Sequence, residues 1–167
     1  MSAMTPWGRH SGMVALIAIV GLMLDQATKL WLLYGFDLGA AGPVALTSFL
    51  DIVLVWNRGI SYGLFQQDGD IGRWLLAGFT LVAGVAIWIW AANARRFVTG
   101  LALGLILAGA IGNGIDRLVF GAVVDFVHFH VGSFSWYVFN VADVWIVAGV
   151  IGLLYDWATD RGGSAAK

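Results

Sequence analysis

The sequence predicts an integral membrane protein, mainly α, built as a four-transmembrane-helix bundle with a small β-sheet or hairpin region at one end. Of the 167 residues, 60% are hydrophobic and 11% charged, and the mean hydropathy is +0.84, well outside the range of soluble globular chains. Four apolar segments are long enough to cross a hydrocarbon core, which takes about 20 helical residues. The two longer connections between them are dense in strand formers. The chain, 1–167, is read as a single membrane domain.

The spans are placed near Gly12 to Tyr34, Arg73 to Ala92, Val98 to Val119 and Phe139 to Trp157. Helices are expected because an isolated strand leaves its backbone groups unpaired in lipid. The first apolar run continues past Asp25 and Lys29, too far for a signal-peptide core of about 7 to 15 residues, and is read as a permanent span. Trp31, Trp74, Trp88, Trp90 and Trp157 lie towards span ends, where interfacial belts form. Arg9, the Arg95-Arg96 link, Arg161 and Lys167 flank the spans on one side, which places both termini in the cytoplasm by the positive-inside bias. The connections 35–72 and 120–138 then face outward. Within them, Leu46 to Trp56 and Val123 to Val131 read as strands, with a turn at Asn57-Arg58-Gly59 and a return over Ile60 to Phe65.

Composition also excludes. The net charge is −1 and no polybasic block occurs, so no nucleic-acid partner is expected. Without cysteine there is no disulfide, thiolate metal site or cysteine nucleophile. His128 and His130 fall on one side of a strand, yet no third ligand stands beside them in the sequence. A calcium or magnesium site built from aspartates stays open, and Ser133 and Ser135 carry no nucleophile motif.

The acidic residues are all aspartates, and several stand in apolar surroundings, where an ionisable group costs at least a few kcal/mol and is a functional hypothesis by default. Asp25 and Lys29 are one helical turn apart: either a structural pair with Lys29 snorkelling outward, or the lining of a polar groove. Gly109, Gly112, Asn113 and Asp116 share a stretch in which small residues permit close helix approach, and Arg117 beside Asp116 suggests a structural ion pair. Asp125, in Val-Val-Asp-Phe, and Asp143, three residues after Asn140, have no basic neighbour. Two carboxylates in apolar surroundings suit an aspartyl hydrolase, in which one activates water while the other, protonated, polarises a carbonyl. A proton or cation transporter using membrane aspartates is the alternative.

The blocks Asp25-Gln26-Ala27-Thr28-Lys29, Asn57 to Gly63, Gly109 to Asn113 with Asp116-Arg117, Val124-Asp125-Phe126 and Phe139-Asn140-Val141-Ala142-Asp143 resemble, in order, the motifs of lipoprotein signal peptidase, or signal peptidase II. That resemblance implies a bacterial inner-membrane aspartyl protease with its active site near the periplasmic face and the β region in the periplasm. Its substrates would be diacylglyceryl-modified prolipoproteins, cut before the lipidated lipobox cysteine. It implies Asp125 and Asp143 as the dyad. Asn57, Gly59, Gly109, Asn113, Asp116, Arg117, Asn140 and Ala142 would handle substrate or support the site, and Asp25 and Lys29 would give structural support. No cofactor or metal is implied, and a monomer in contact with membrane lipid is expected. Ile60-Ser61-Tyr62 departs from the Ala-Ala-Phe common in the family, which bears on pocket shape.

Overall fold

The computed structural model describes residues 5–59 and 70–164. Its elements in order are α1 (Ser11–Leu30), a π-helical turn (Trp31–Gly35), α2 (Leu38–Ala41), β1 (Val44–Ala45), β2 (Leu50–Asn57), α3 (Asp70–Ala92), α4 (Phe97–Phe120), β3 (Val123–Val131), β4 (Phe134–Ser135) and α5 (Val141–Ser164). Four stretches are long and apolar enough to cross a membrane: Ser11–Gly35, Gly72–Ala92, Phe97–Phe120 and Val141–Asp160. The first three match the expected spans to within one residue at each end. Leu16, Phe79, Val82 and Leu154 are exposed on the outside of the bundle, as residues facing lipid tails should be.

Helix α4 is the axis of the bundle and packs against α1, α3 and α5. Its buried residues include Gly100, Ala102, Gly104, Ala108, Gly109, Gly112 and Gly114. Lipid tails are as apolar as leucine, so helices in a membrane associate through close packing, which small residues allow. At Gly109 the approach is extreme: a Cβ there would lie 2.2 Å from the carbonyl oxygen of Ala142 and 2.7 Å from Ile146. Gly149 of α5 is similarly closed by the Ala102 carbonyl at 2.5 Å.

The fourth span begins at Val141, two residues later than expected, and the reason is local. Asn140 Oδ1 accepts the Asp143 N–H at 3.0 Å, while Asp143 Oδ2 accepts the Asn140 N–H at 3.2 Å. This reciprocal arrangement is a capping box, and it sets the first turn of α5. Phe139, expected inside the helix, instead exchanges backbone hydrogen bonds with Val127 of β3.

The β region is one antiparallel sheet in the order β1-β2-β3-β4. The partner of β2 is β3, with Asp51 opposite His128 and Asn57 opposite Val123. The expected return over Ile60 to Phe65 lies outside the described residues. The strand also starts at Leu50 and not at Leu46; residues 46 to 49 form the turn from β1, with the Leu46 and Thr47 N–H groups donating to Leu50 O. The short α2, unforeseen, is capped by Asp37, which sits at φ 56° and accepts from Ala40 N–H.

At the end of the bundle away from the sheet, Asn93 in the α3–α4 link hydrogen-bonds Thr5. Arg96 there pairs with Asp156 and Asp160 of α5. The N-terminal segment, the Arg95-Arg96 link and the far end of α5 therefore share one end.

Gly109→Ala is expected to destabilise the protein by about 1–3 kcal/mol, the usual range for overpacking, because the added methyl meets backbone that cannot yield. A Cβ at Gly84 of α3 meets nothing within 4 Å, so Gly84→Ala should leave the melting temperature unchanged or slightly raised. Thermal melts of the two variants in detergent, beside the parent, test the contrast.

Candidate active site

Buried charge in the bundle converges on Lys29, which is 1% exposed. Its ammonium donates to Asp25 Oδ2 at 2.9 Å, Asp116 Oδ2 at 2.7 Å and Asn113 Oδ1 at 3.1 Å. Those are its three donors, all used. The expected structural pair with Asp25 is present, but Lys29 is buried and does not snorkel outward, and its three donors are taken up within the protein. Asp116 likewise pairs with Lys29 and not with Arg117, because adjacent residues on a helix point about 100° apart. Arg117 donates instead to the carbonyls of Asn113 (3.2 Å) and Gly59 (3.1 Å).

Each of these two carboxylates also grips backbone from another element. Asp25 Oδ1 accepts the Ala142 N–H at 2.9 Å, one of the N-terminal donors of α5 that lack an intrahelical acceptor. Asp116 Oδ2 accepts the Val124 N–H of β3 at 3.2 Å. Gln26, quoted within a motif but not singled out as a site residue, adds hydrogen bonds to Asp116 Oδ1 (2.9 Å), Asp25 Oδ2 (3.2 Å) and Gly112 O (3.3 Å). Its signal in the sequence was a polar residue inside an apolar span. A Cβ at Gly112 would stand 2.5 Å from Asp25 Oδ2, so glycine makes room for that carboxylate.

The residues held in this way are the neighbours of Asp125 and Asp143. Asp125 is 2% exposed; it accepts from Asn57 Nδ2 at 3.0 Å and Asn140 Nδ2 at 2.6 Å. Asp143 is half-buried and accepts from Asn113 Nδ2 at 2.9 Å as well as from the Asn140 N–H. Asn140 Nδ2 also reaches Asn113 Oδ1 at 3.1 Å. Three amides from β2, α4 and the cap of α5 thus knit the two carboxylates together, and neither has a Lys or Arg within ion-pair distance among the described residues. Both line a cavity of about 240 Å³, with Asn57, Asn113, Arg117, Thr80 and Tyr137 among its polar walls and Leu76, Phe79 and Ile146 among its apolar ones. Thr80 and Tyr137 carried no motif signal. The remaining positions from the sequence fall close by: the Gly59 N–H donates to Asn57 Oδ1 at 3.1 Å, and Ala142, fully buried, lies under Gly109.

Burial first, and then the charge of Asp143, push the Asp125 carboxyl from its ordinary 3.8 up to about 7, against the opposing hydrogen bonds of Asn57 and Asn140. Desolvation penalises the ionised form, and a like charge nearby does the same.

One expectation about the sheet is also revised. His128 and His130 do have a third neighbour, since the register places Asp51 across the strands from them.

The fold and site define a multi-pass membrane protein whose bundle presents a carboxylate pair on one cavity near the sheet. Comparison with known proteins gives the particular family. The chain belongs to the signal peptidase (SPase) II family, whose profile matches residues 17–159, and is a membrane protease. It is 56% identical, over 88% of this chain and 85% of the relative, to the lipoprotein signal peptidase of Methylorubrum extorquens. It is 57% identical to that of Rhodopseudomonas palustris strain TIE-1, over 84% and 88%. A bacterial membrane enzyme solved by the in meso method at 2.3 Å superposes with a TM-score of 0.75 at 28% identity, covering 91% of both chains. The transporter reading is not favoured.

Removing Lys29 strands two buried carboxylates. Lys29→Met is expected to cost about 3–5 kcal/mol, as breaking a buried ion pair from one side does. Adding Asp25→Asn and Asp116→Asn should recover a large part of that loss, because the charges left uncompensated are then gone. Denaturation midpoints of the single and triple variants measure the difference.

Proposed function

We propose that this protein is an intramembrane aspartyl endopeptidase that removes signal peptides from diacylglyceryl-modified prolipoproteins, cutting before the lipidated lipobox cysteine, with Asp125 and Asp143 as its catalytic dyad. The observation that carries the reading is the pair itself. Two carboxylates share one cavity, are held by amides and not by cations, and one of them keeps its proton up to about pH 7.

In this mechanism a water molecule sits between the carboxylates and the scissile carbonyl. The raised proton affinity of Asp125 makes it the protonated partner, and Asp143, more open to the cavity, is the base. Asp143 takes a proton from water as the oxygen attacks the carbonyl carbon, while Asp125 gives its proton to the carbonyl oxygen. The resulting gem-diol collapses, the C–N bond breaks and the amide nitrogen receives the proton held by Asp143. A diol hydroxyl returns a proton to Asp125, and the dyad again shares one. Asn57, Asn113 and Asn140 hold the carboxylates in place. Arg117 retains a buried Nε with no hydrogen-bond partner among the described residues, a donor suited to a substrate carbonyl. Gly59 fixes the Asn57 turn and Arg117; Gly109 and Ala142 let α4 and α5 close on the site.

An apolar groove of about 380 Å³ starts at Asp143 and runs along α5 past Val144, Val147 and Ile151. It suits the acyl chains of the lipidated cysteine, where each buried methylene contributes about 0.8 kcal/mol. Basic residues at the end away from the sheet support an orientation with that end, and both termini, in the cytoplasm of a bacterial cell. The connections 35–72 and 120–138, the sheet and the active site then lie at the periplasmic face of the inner membrane. The chain 1–167 works in this reading as a single-domain monomer among membrane lipids.

Purified protein in detergent should cleave a diacylglyceryl-modified prolipoprotein, while Asp125→Asn and Asp143→Asn each lose about 10²–10⁴-fold in rate. An unlipidated substrate should be cut far less well. Full activity in either folded variant would remove that residue from the dyad, and equal cleavage of both substrates would remove the groove from the binding model.

The same assignment predicts a pH dependence of stability. The folded Asp125 carboxyl holds its proton to about 7 whereas the unfolded one releases it near 3.8, so between those values the folded state binds more protons. Its contribution to stability therefore falls as pH rises through that window. Asp125→Asn should raise the melting temperature relative to the parent, and more at pH 8 than at pH 4.

A further inference from the structure

The sheet carries a second cluster of ligating side chains that the dyad does not use. Side chains alternate along a strand, so His128 and His130 project from the face of β3 opposite to Asp125. Antiparallel pairing sets Asp51 of β2 directly across from His128. The two imidazoles stack with centroids 5.2 Å apart and planes 30° apart. One ligating atom from each of the three residues lies within 4.8 Å of the others. We propose that Asp51, His128 and His130 form a binding site for one divalent transition-metal ion of the zinc class.

The hydrogen bonds around the cluster set the proton positions. Ser135 Oγ stands 2.8 Å from His128 Nε2 and 3.4 Å from the Trp136 carbonyl, so with its hydroxyl turned to that carbonyl it accepts from Nε2. With Nε2 as the donor of a neutral imidazole, Nδ1 carries a lone pair. That lone pair faces Asp51 Oδ2 at 3.8 Å, while His130 Nε2 stands 3.0 Å from the same oxygen. In that tautomer a lone pair faces a carboxylate oxygen, an arrangement that a cation bound between them would satisfy. The contact of His128 Nε2 with Ser135 also matches a recurring feature of metal sites, in which the ring nitrogen away from the metal donates to a fixed acceptor.

Ligand chemistry selects the ion. Two imidazoles and one carboxylate suit zinc and its neighbours, whereas calcium and magnesium prefer oxygen alone. Tetrahedral zinc at about 2.0–2.2 Å from its ligands brings donors to about 3.4 Å apart. The side chains are 24–29% exposed, so small rotations can supply that contraction and water can fill the fourth position. The bound ion would tie β2 to β3, the strands that carry Asn57 and Asp125.

The test uses the full chain, tag-free, in detergent, stripped with chelator and dialysed. Zinc titrated calorimetrically at pH 7.5 should bind one ion per chain and raise the melting temperature. Asp51→Asn and His128→Ala should each weaken binding about tenfold or more and abolish the thermal shift. His10→Ala, which changes the chain's other histidine, should leave both unchanged. Cobalt in place of zinc should give a visible d–d band in the parent and none in Asp51→Asn, a readout independent of stability. The absence of a saturable one-to-one isotherm in the folded parent would overturn the site. So would undiminished zinc binding in Asp51→Asn, or in the double variant His128→Ala/His130→Ala.

Discussion

The architecture depends on one buried ammonium. Lys29 bridges Asp25 and Asp116 inside the bundle, and each of those carboxylates also holds a backbone N–H from another part of the fold. Asp25 holds Ala142, immediately before Asp143. Asp116 holds Val124, immediately before Asp125. A single ion-paired cluster spanning α1 and α4 therefore positions the strand and the helix end that carry the two carboxylates of the site. An apolar core alone would not fix their relative placement, since packing in lipid is short-ranged and weakly directional, whereas charge-assisted hydrogen bonds have preferred lengths and angles.

Around that cluster the remaining features are means of bringing backbones close. Gly109 and Gly112 give α4 a surface on which Ala142 and the Asp25 carboxylate can rest. Asn140 serves three partners at once: it caps α5, donates to Asp125 and donates to Asn113. The site carries a cost in stability. Asp125 is buried beside a second carboxylate with only amides for partners, which disfavours its ionised form.

Much of the chemistry was legible in the sequence because charge is conspicuous in an apolar chain. Asp125 and Asp143 stood out for lacking basic neighbours, and the structure finds both on one cavity. The reading failed where partners are distant in the chain. Arg117 looked like the partner of Asp116 because it is adjacent, while the true partner, Lys29, lies far away in α1. Asp51 looked unrelated to His128 and His130 until strand register set them together. The capping box at Asn140 and Asp143 was readable from the spacing Asn-Val-Ala-Asp before an apolar run, yet both residues were read as lying within one helix face.

Four membrane crossings, the bounds of the first three to within a residue, and the residues with chemistry to offer are all legible in the chain alone, because hydropathy and charge are local properties. The folded arrangement sets which carboxylates are ion-paired and which, among the described residues, are not, which strand pairs with which, and that the groups flanking Asp125 and Asp143 are held from α1 and α4. Those outcomes depend on contacts between residues far apart in the chain, where direction and distance, and not composition, set the energy.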